Sequence, residues 1–144
     1  MRIAEVIETK GRAVASVRPT DTVERAVRLL AERRIGAVVV EDQWQSLAGI
    51  FSERDLVRRL AQDGPAVLQS EVQRVMTHSV ITCHAEDRID DVLRLMTMNK
   101  IRHVPVMDNA RLAGIVSIGD LVNYRLLEKQ QEAEVLLEIA RMRG

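Results

Sequence analysis

Gly49-Ile50-Phe51-Ser52-Glu53-Arg54-Asp55 returns 65 positions later as Gly114-Ile115-Val116-Ser117-Ile118-Gly119-Asp120. In both, an apolar run stops at a serine and an aspartate stands three residues beyond. A strand giving way to a helix reads this way, because the hydroxyl and the carboxylate satisfy free N–H groups in the first helical turn. The register persists upstream. Asp21 to Leu30 matches Asp87 to Met96 at a spacing of 66, and Ile35 to Val40 falls on Ile101 to Val106. The spacing drops to 65 only downstream of these, so the first copy has one extra residue in the intervening turn. Repetition at this period means two supersecondary units that complete one core together, with the function expected at their junction.

Each copy reads as a short strand, a helix, two strands and a helix. In the first, Val14 to Val17 is the opening strand and Pro19-Thr20-Asp21 a turn suited to a helix start. A helix follows from Thr22 to about Arg34, with Val23, Ala26, Val27, Leu29 and Leu30 gathered on one side. Gly36 to Val40 runs apolar without alternation, the pattern of a strand covered on both faces. Asp42-Gln43-Trp44-Gln45 and Asp108-Asn109-Ala110-Arg111 are polar turns joining hairpin strands. Gln62-Asp63-Gly64-Pro65 ends the last helix of the first copy and opens the linker. A lead-in precedes each copy, Ile3, Val6 and Ile7 before one and Val72, Val75 and Met76 before the other, read as short helices packing on the neighbouring copy. The expected fold class is α/β (α+β): two pseudo-symmetric β-α-β-β-α repeats packed as one module. Residues 1–68 form the first repeat with its lead-in, 69–125 the second, and 126–144 a C-terminal amphipathic helix.

Composition narrows the function. Each copy is near the ~60-residue size that buries only about 60% of its unfolded surface, so the halves are expected to fold as one body. Twenty-one basic residues balance 21 acidic ones, and Phe51, Trp44 and Tyr124 are the whole aromatic set. That gives neither the basic field nor the stacking platforms of a nucleic-acid binder, and no polybasic surface for a membrane. Arg25, Arg28, Arg33, Arg34, Arg58 and Arg59 are interleaved with Glu24, Glu32 and Asp55 and read as a solvated face. Cys83 is the lone cysteine, the longest apolar runs are about six residues against the roughly 20 of a membrane span, and no signal-peptide core follows Arg2. A cytoplasmic location is the default expectation.

The paired Ser-x-x-Asp segments carry the chemistry. A helix start exposes N–H groups and the positive end of its dipole, which favour an anion, yet a carboxylate alone repels phosphate. It accepts hydrogen bonds from a vicinal diol such as the 2′ and 3′ hydroxyls of ribose, each charge-assisted bond contributing roughly 1.5–3 kcal/mol. Phosphate then requires basic groups nearby. Arg102 and His103 stand where the first copy has Gly36 and Ala37, so one copy leaves room for a flat base and the other reaches for an anion.

These units resemble a tandem pair of cystathionine-β-synthase (CBS) domains, a Bateman module, over about Ile3 to Arg125. The resemblance rests on both Gly-x-x-Ser-x-x-Asp segments and on Arg102-His103-Val104-Pro105-Val106. It implies clefts between the repeats that bind adenosine-containing ligands: AMP, ADP, ATP, NAD or S-adenosylmethionine. By the same resemblance one site pairs Asp55, Ser52 and Arg54 with Thr77, Ser79 and Ile81. The other pairs Asp120, Ser117 and Gly119 with Lys10, Ala13, Ala15, Gly36 and Ala37, and Arg102 and His103 stand for phosphate contacts near the shared centre. The first copy departs from the pattern: its strand lacks the proline, and Lys10-Gly11-Arg12 is longer than its counterpart.

Other functions find fewer parts. Three histidines, one cysteine and no Gly-rich phosphate loop leave little for an enzyme, and no catalytic cofactor is expected. A metal site at His78, Cys83 and His84 is opposed by strand geometry, since Cys83 and His84 then point to opposite faces. The stronger alternative is a structural dimerisation module with empty clefts. The expectation is a non-catalytic regulatory module sensing an adenosine-containing small molecule, a homodimer through apolar helix faces, whose ligand-dependent shift is read by a regulated partner protein.

Overall fold

The computed structural model describes residues 1–143. In the first repeat, helix α1 (Ile3–Lys10) leads into strand β1 (Ser16–Val17), α2 (Val23–Arg33), β2 (Ala37–Glu41), β3 (Leu47–Ser52) and α3 (Glu53–Asp63). Two 3-10 turns, Gly64–Gln69 and Val72–Arg74, connect to β4 (Cys83–His84), α4 (Ile89–Asn99), β5 (His103–Asp108), β6 (Arg111–Ser117) and α5 (Ile118–Arg143). Each repeat holds a three-stranded sheet in which the first two strands run parallel and the last two form an antiparallel hairpin.

The duplication read from the sequence is a duplication of structure. Arg34 and Lys100, 66 apart, both close their helices in the left-handed conformation, with φ of 54° and 55°. Thr22 proves to be the cap of α2 rather than its first residue, its hydroxyl accepting from Arg25 N at 3.1 Å. The opening strand is shorter than the expected Val14–Val17, although Ala15 O still accepts from Val39 N at 3.2 Å. Ala37 to Val40 are all buried, as a strand covered on both faces requires.

The lead-ins cross over. Ile3, Val6 and Ile7 pack in a core with Ile89, Val92, Met96, Val104 and Val116 of the second repeat, whereas Val72, Val75 and Met76 pack with Val23, Val38 and Phe51 of the first. The backbone ties are reciprocal: Val23 N donates to Ser70 O and Ile89 N to Met1 O, Val72 N to Asp21 O and Ile3 N to Asp87 O. The glycines of the repeated segments make this possible. A β-carbon on Gly49 would lie 2.6 Å from Met76 Sδ, and one on Gly114 would lie 2.6 Å from Ile7 Cδ1. Each hairpin thus presents a bare backbone where the other repeat's lead-in presses against it.

Helix α5 continues without a break past residue 126. Its apolar residues beyond Leu121 are exposed, among them Leu126 (58%) and Leu136 (66%), while Tyr124 Oη donates to Glu5 Oε2 and anchors the first turns against α1. Of the expected terminal helix 126–144, Gly144 lies outside the described residues. No helix among the described residues is long and apolar enough to cross a membrane.

Candidate functional site

Strand β3 ends and α3 begins at Ser52, so the start of α3 is fixed by a reciprocal cap. Asp55 Oδ2 accepts from Ser52 N (2.9 Å) and Ser52 Oγ (3.1 Å), and Asp55 Oδ1 accepts from Thr77 Oγ1 (3.1 Å). The observed cap and the ligand-binding role expected from the sequence thus fall on one residue. A carboxylate offers about four lone-pair sites. Three are used inside the protein, two of them by the hydroxyls of Ser52 and Thr77, which can rotate aside for another donor. Asp55 is also the one buried charged side chain among the described residues, 8% exposed.

Around it lies a cavity of about 360 Å³, within the ordinary range for small-molecule sites. Ser52, Arg54, Asp55, Thr77, Ser79 and Ile81, grouped from the sequence, all line it, together with Arg102 and His103 of the second repeat. Its wall is therefore built from both repeats. Arg54 reaches across the junction, donating from Nη1 to Lys100 O at 2.6 Å. Four cationic side chains, Arg54, Arg58, Lys100 and Arg102, face two carboxylates, Glu53 and Asp55. Glu53, Asn99 and Lys100 were not singled out from the sequence, and Arg58, read there as part of a solvated face, lines the cavity instead. The signal for Arg58 was its place one helical turn beyond Arg54.

Gly36 was grouped with the second cleft but lines the first. The reason is its neighbour: a β-carbon there would stand 2.8 Å from His103 Cε1, so the absence of a side chain makes room for the imidazole at the pseudo-two-fold centre. Burial holds His103 below its ordinary pKa, Lys10 and Arg102 push it the same way, and Asp120 and Glu53 oppose them. The ring is accordingly neutral near pH 7.

The second set is only partly assembled. Asp120 Oδ2 accepts from Ser117 N (2.9 Å) and pairs with Lys10 Nζ (2.6 Å), with Gly119 alongside. Ala15 packs with the first repeat's core, Ala37 is buried within β2, and Ala13 is exposed. Burial alone would push the Asp120 carboxyl up, but the Lys10 hydrogen bond, the bonds from Ser117 and the Lys10 charge outweigh it and hold the group below the usual carboxylate range. Cys83 is buried in the second core, its thiol pushed up to about 12 by burial and by Asp87, while His78 and His84 are exposed. The described residues contain no cluster of three or more potential metal ligands.

The CBS domain pattern matches the chain twice, over residues 4–62 and 72–127. A mitochondrial CBS domain-containing protein of Arabidopsis thaliana is 34% identical over 142 residues, covering 93% of this chain and 69% of its own length. Among solved structures, a CBS-domain containing protein from Agrobacterium tumefaciens is 43% identical with a TM-score of 0.84, covering 86% of this chain and 92% of that one. A CBS domain protein from Pyrobaculum aerophilum complexed with AMP is 28% identical with a TM-score of 0.75, covering 83% of this chain and 89% of that one.

Proposed function

The chain belongs to the CBS-domain family, and on that premise we propose that it is a regulatory module binding an adenosine-containing nucleotide in the cavity around Asp55. The observation that carries the reading is the position of Asp55: a buried carboxylate with one spare lone pair and displaceable hydroxyl donors, in the lining of a cavity that also holds four cationic residues. The AMP complex of the Pyrobaculum relative supports the same ligand class.

Roles follow from placement. Asp55 receives the ribose hydroxyls, Ser52 holds Asp55 and the helix start, and Ile81 with the backbone near Ser79 flanks the base. Arg54, Arg102 and His103 face the phosphate. Four cations against two carboxylates favour the anionic members of the class, AMP, ADP, ATP and NAD, over S-adenosylmethionine, whose sulfonium adds a like charge.

Because the cavity wall comes from both repeats, a bound nucleotide favours one relative orientation of the two, and a partner protein reads that population. No catalytic step is required. Exposed apolar side chains on α3 (Val57, 66%) and α5 (Val122, 45%) supply faces through which two copies pair.

Calorimetric titration of nucleotide-stripped protein tests the reading. Saturable binding of AMP, weaker binding of S-adenosylmethionine, and a loss of tenfold or more for AMP in Asp55→Ala are expected, in line with ~1.5–3 kcal/mol per charge-assisted bond. Silence from AMP, ATP, NAD and S-adenosylmethionine alike would leave the structural dimerisation module as the better account.

A further inference from the structure

The two clefts are finished by different chemistry. At the first, the chain leaves its 3-10 turn and is extended at Thr77, whose N–H donates to Ile50 O (2.8 Å) and whose hydroxyl donates to Asp55 Oδ1 (3.1 Å). At the equivalent place in the first repeat the lead-in is still helical, since α1 runs on to Lys10. The Ile115 carbonyl, counterpart of that of Ile50, and the Asp120 carboxylate then both receive the Lys10 ammonium, at 2.8 Å and 2.6 Å. One cation replaces a peptide N–H and a hydroxyl.

The substitution changes what a ligand must displace. Thr77 is a neutral donor, and a sugar hydroxyl replaces its bond to the carboxylate in kind once the Thr77 hydroxyl rotates away. Lys10 gives up a charge-assisted bond at 2.6 Å and a second acceptor at once, and a sugar hydroxyl brings no charge to replace it. Beside Asp120 the helix start is open: a β-carbon on Gly119 would meet only Ser117 Oγ, at 3.6 Å.

We propose that Lys10 is an internal ligand of the second cleft, its ammonium holding the Asp120 carboxylate against a ribose diol, so that the chain binds one nucleotide, at Asp55, and carries a second site masked by its own side chain. Lys10 thereby determines how many nucleotides the module takes. The proposal rests on the reading of Asp55 as the ribose acceptor.

Titration of the full chain with AMP, followed by stoichiometry, tests both and separates them. One AMP per chain is expected for the wild type, two for Lys10→Met, and one again for Lys10→Met combined with Asp120→Ala. Two per chain in the wild type, or one in a folded Lys10→Met, overturns the masking while leaving the Asp55 reading intact. Binding by Lys10→Met but not by the wild type upholds the masking and removes the Asp55 reading; silence from both removes the two together. Should Lys10→Met fail to fold, Asp55→Ala decides: no AMP bound agrees with a masked second cleft, and one AMP still bound overturns it.

Discussion

The imidazole of His103 occupies the space that a side chain on Gly36 would fill, 2.8 Å from the position of the missing β-carbon. These residues come from opposite repeats and meet at the pseudo-two-fold centre. Gly36→Ala should therefore destabilise by about 1–3 kcal/mol, the usual cost of overpacking. Removing the ring as well, in Gly36→Ala/His103→Ala, should recover part of that loss. Urea unfolding of the four proteins gives the coupling energy directly, and additive effects would mean that the contact is not the cause.

His103 also sets a pH dependence. Its pKa is lowered in the folded chain, so the unfolded chain binds the proton more readily, and stability falls as pH drops through the range just below 6.5. Lys10, Asp120, Glu53 and Arg102 face the ring and modulate this. A phosphate in the cavity favours the imidazolium, so AMP binding should take up a proton and strengthen between pH 8 and 6, relative to His103→Gln. Comparing the two proteins cancels the nucleotide's own ionisation. Identical pH profiles would remove His103 from the phosphate's surroundings.

The two repeated glycines should differ in cost. A β-carbon on Gly49 meets Met76 Sδ at 2.6 Å and the Thr77 carbonyl oxygen at 2.8 Å, whereas one on Gly114 meets only the tip of Ile7 closely. Backbone cannot yield as a side-chain end can. Gly49→Ala should cost about 2–3 kcal/mol and Gly114→Ala about 1 kcal/mol, measured by chemical denaturation.

The internal repeat made much of this legible. Spacings of 66 and 65 foretold the element order and the paired caps at Ser52 and Ser117, and the apolar lead-ins their crossed packing, because apolar periodicity and capping chemistry are local properties. The grouping of Asp55 with Thr77, Ser79 and Ile81 likewise followed from the resemblance. Contacts between distant residues were not legible. Lys10 meets Asp120 because α1 runs one turn further than the 3-10 turn at its counterpart, and propensity does not reveal where such a segment stops. Gly36 lines the first cleft because of the ring opposite it, which its own sequence neighbours do not specify.

The second hairpin turn stores a small strain. Asn109 and Ala110 both have positive φ, 50° and 67°, as a two-residue turn between Asp108 and Arg111 requires. Alanine is disfavoured there, so Ala110→Gly should stabilise by about 0.5–1 kcal/mol in thermal or chemical unfolding. A loss of stability would mean that the turn is held by other contacts.

Two separate apolar clusters in one chain would ordinarily melt one after the other. Here Ile3, Val6 and Ile7 belong to the cluster of the second repeat, and Val72, Val75 and Met76 to that of the first. Neither cluster can be lost without withdrawing a wall from its neighbour, so a scanning calorimeter should record one cooperative transition with equal calorimetric and van't Hoff enthalpies. Assembly obeys the same condition: Ile3, Val6 and Ile7 find their partners only after the second repeat has been made, so the slow, long-range step of folding waits for that repeat.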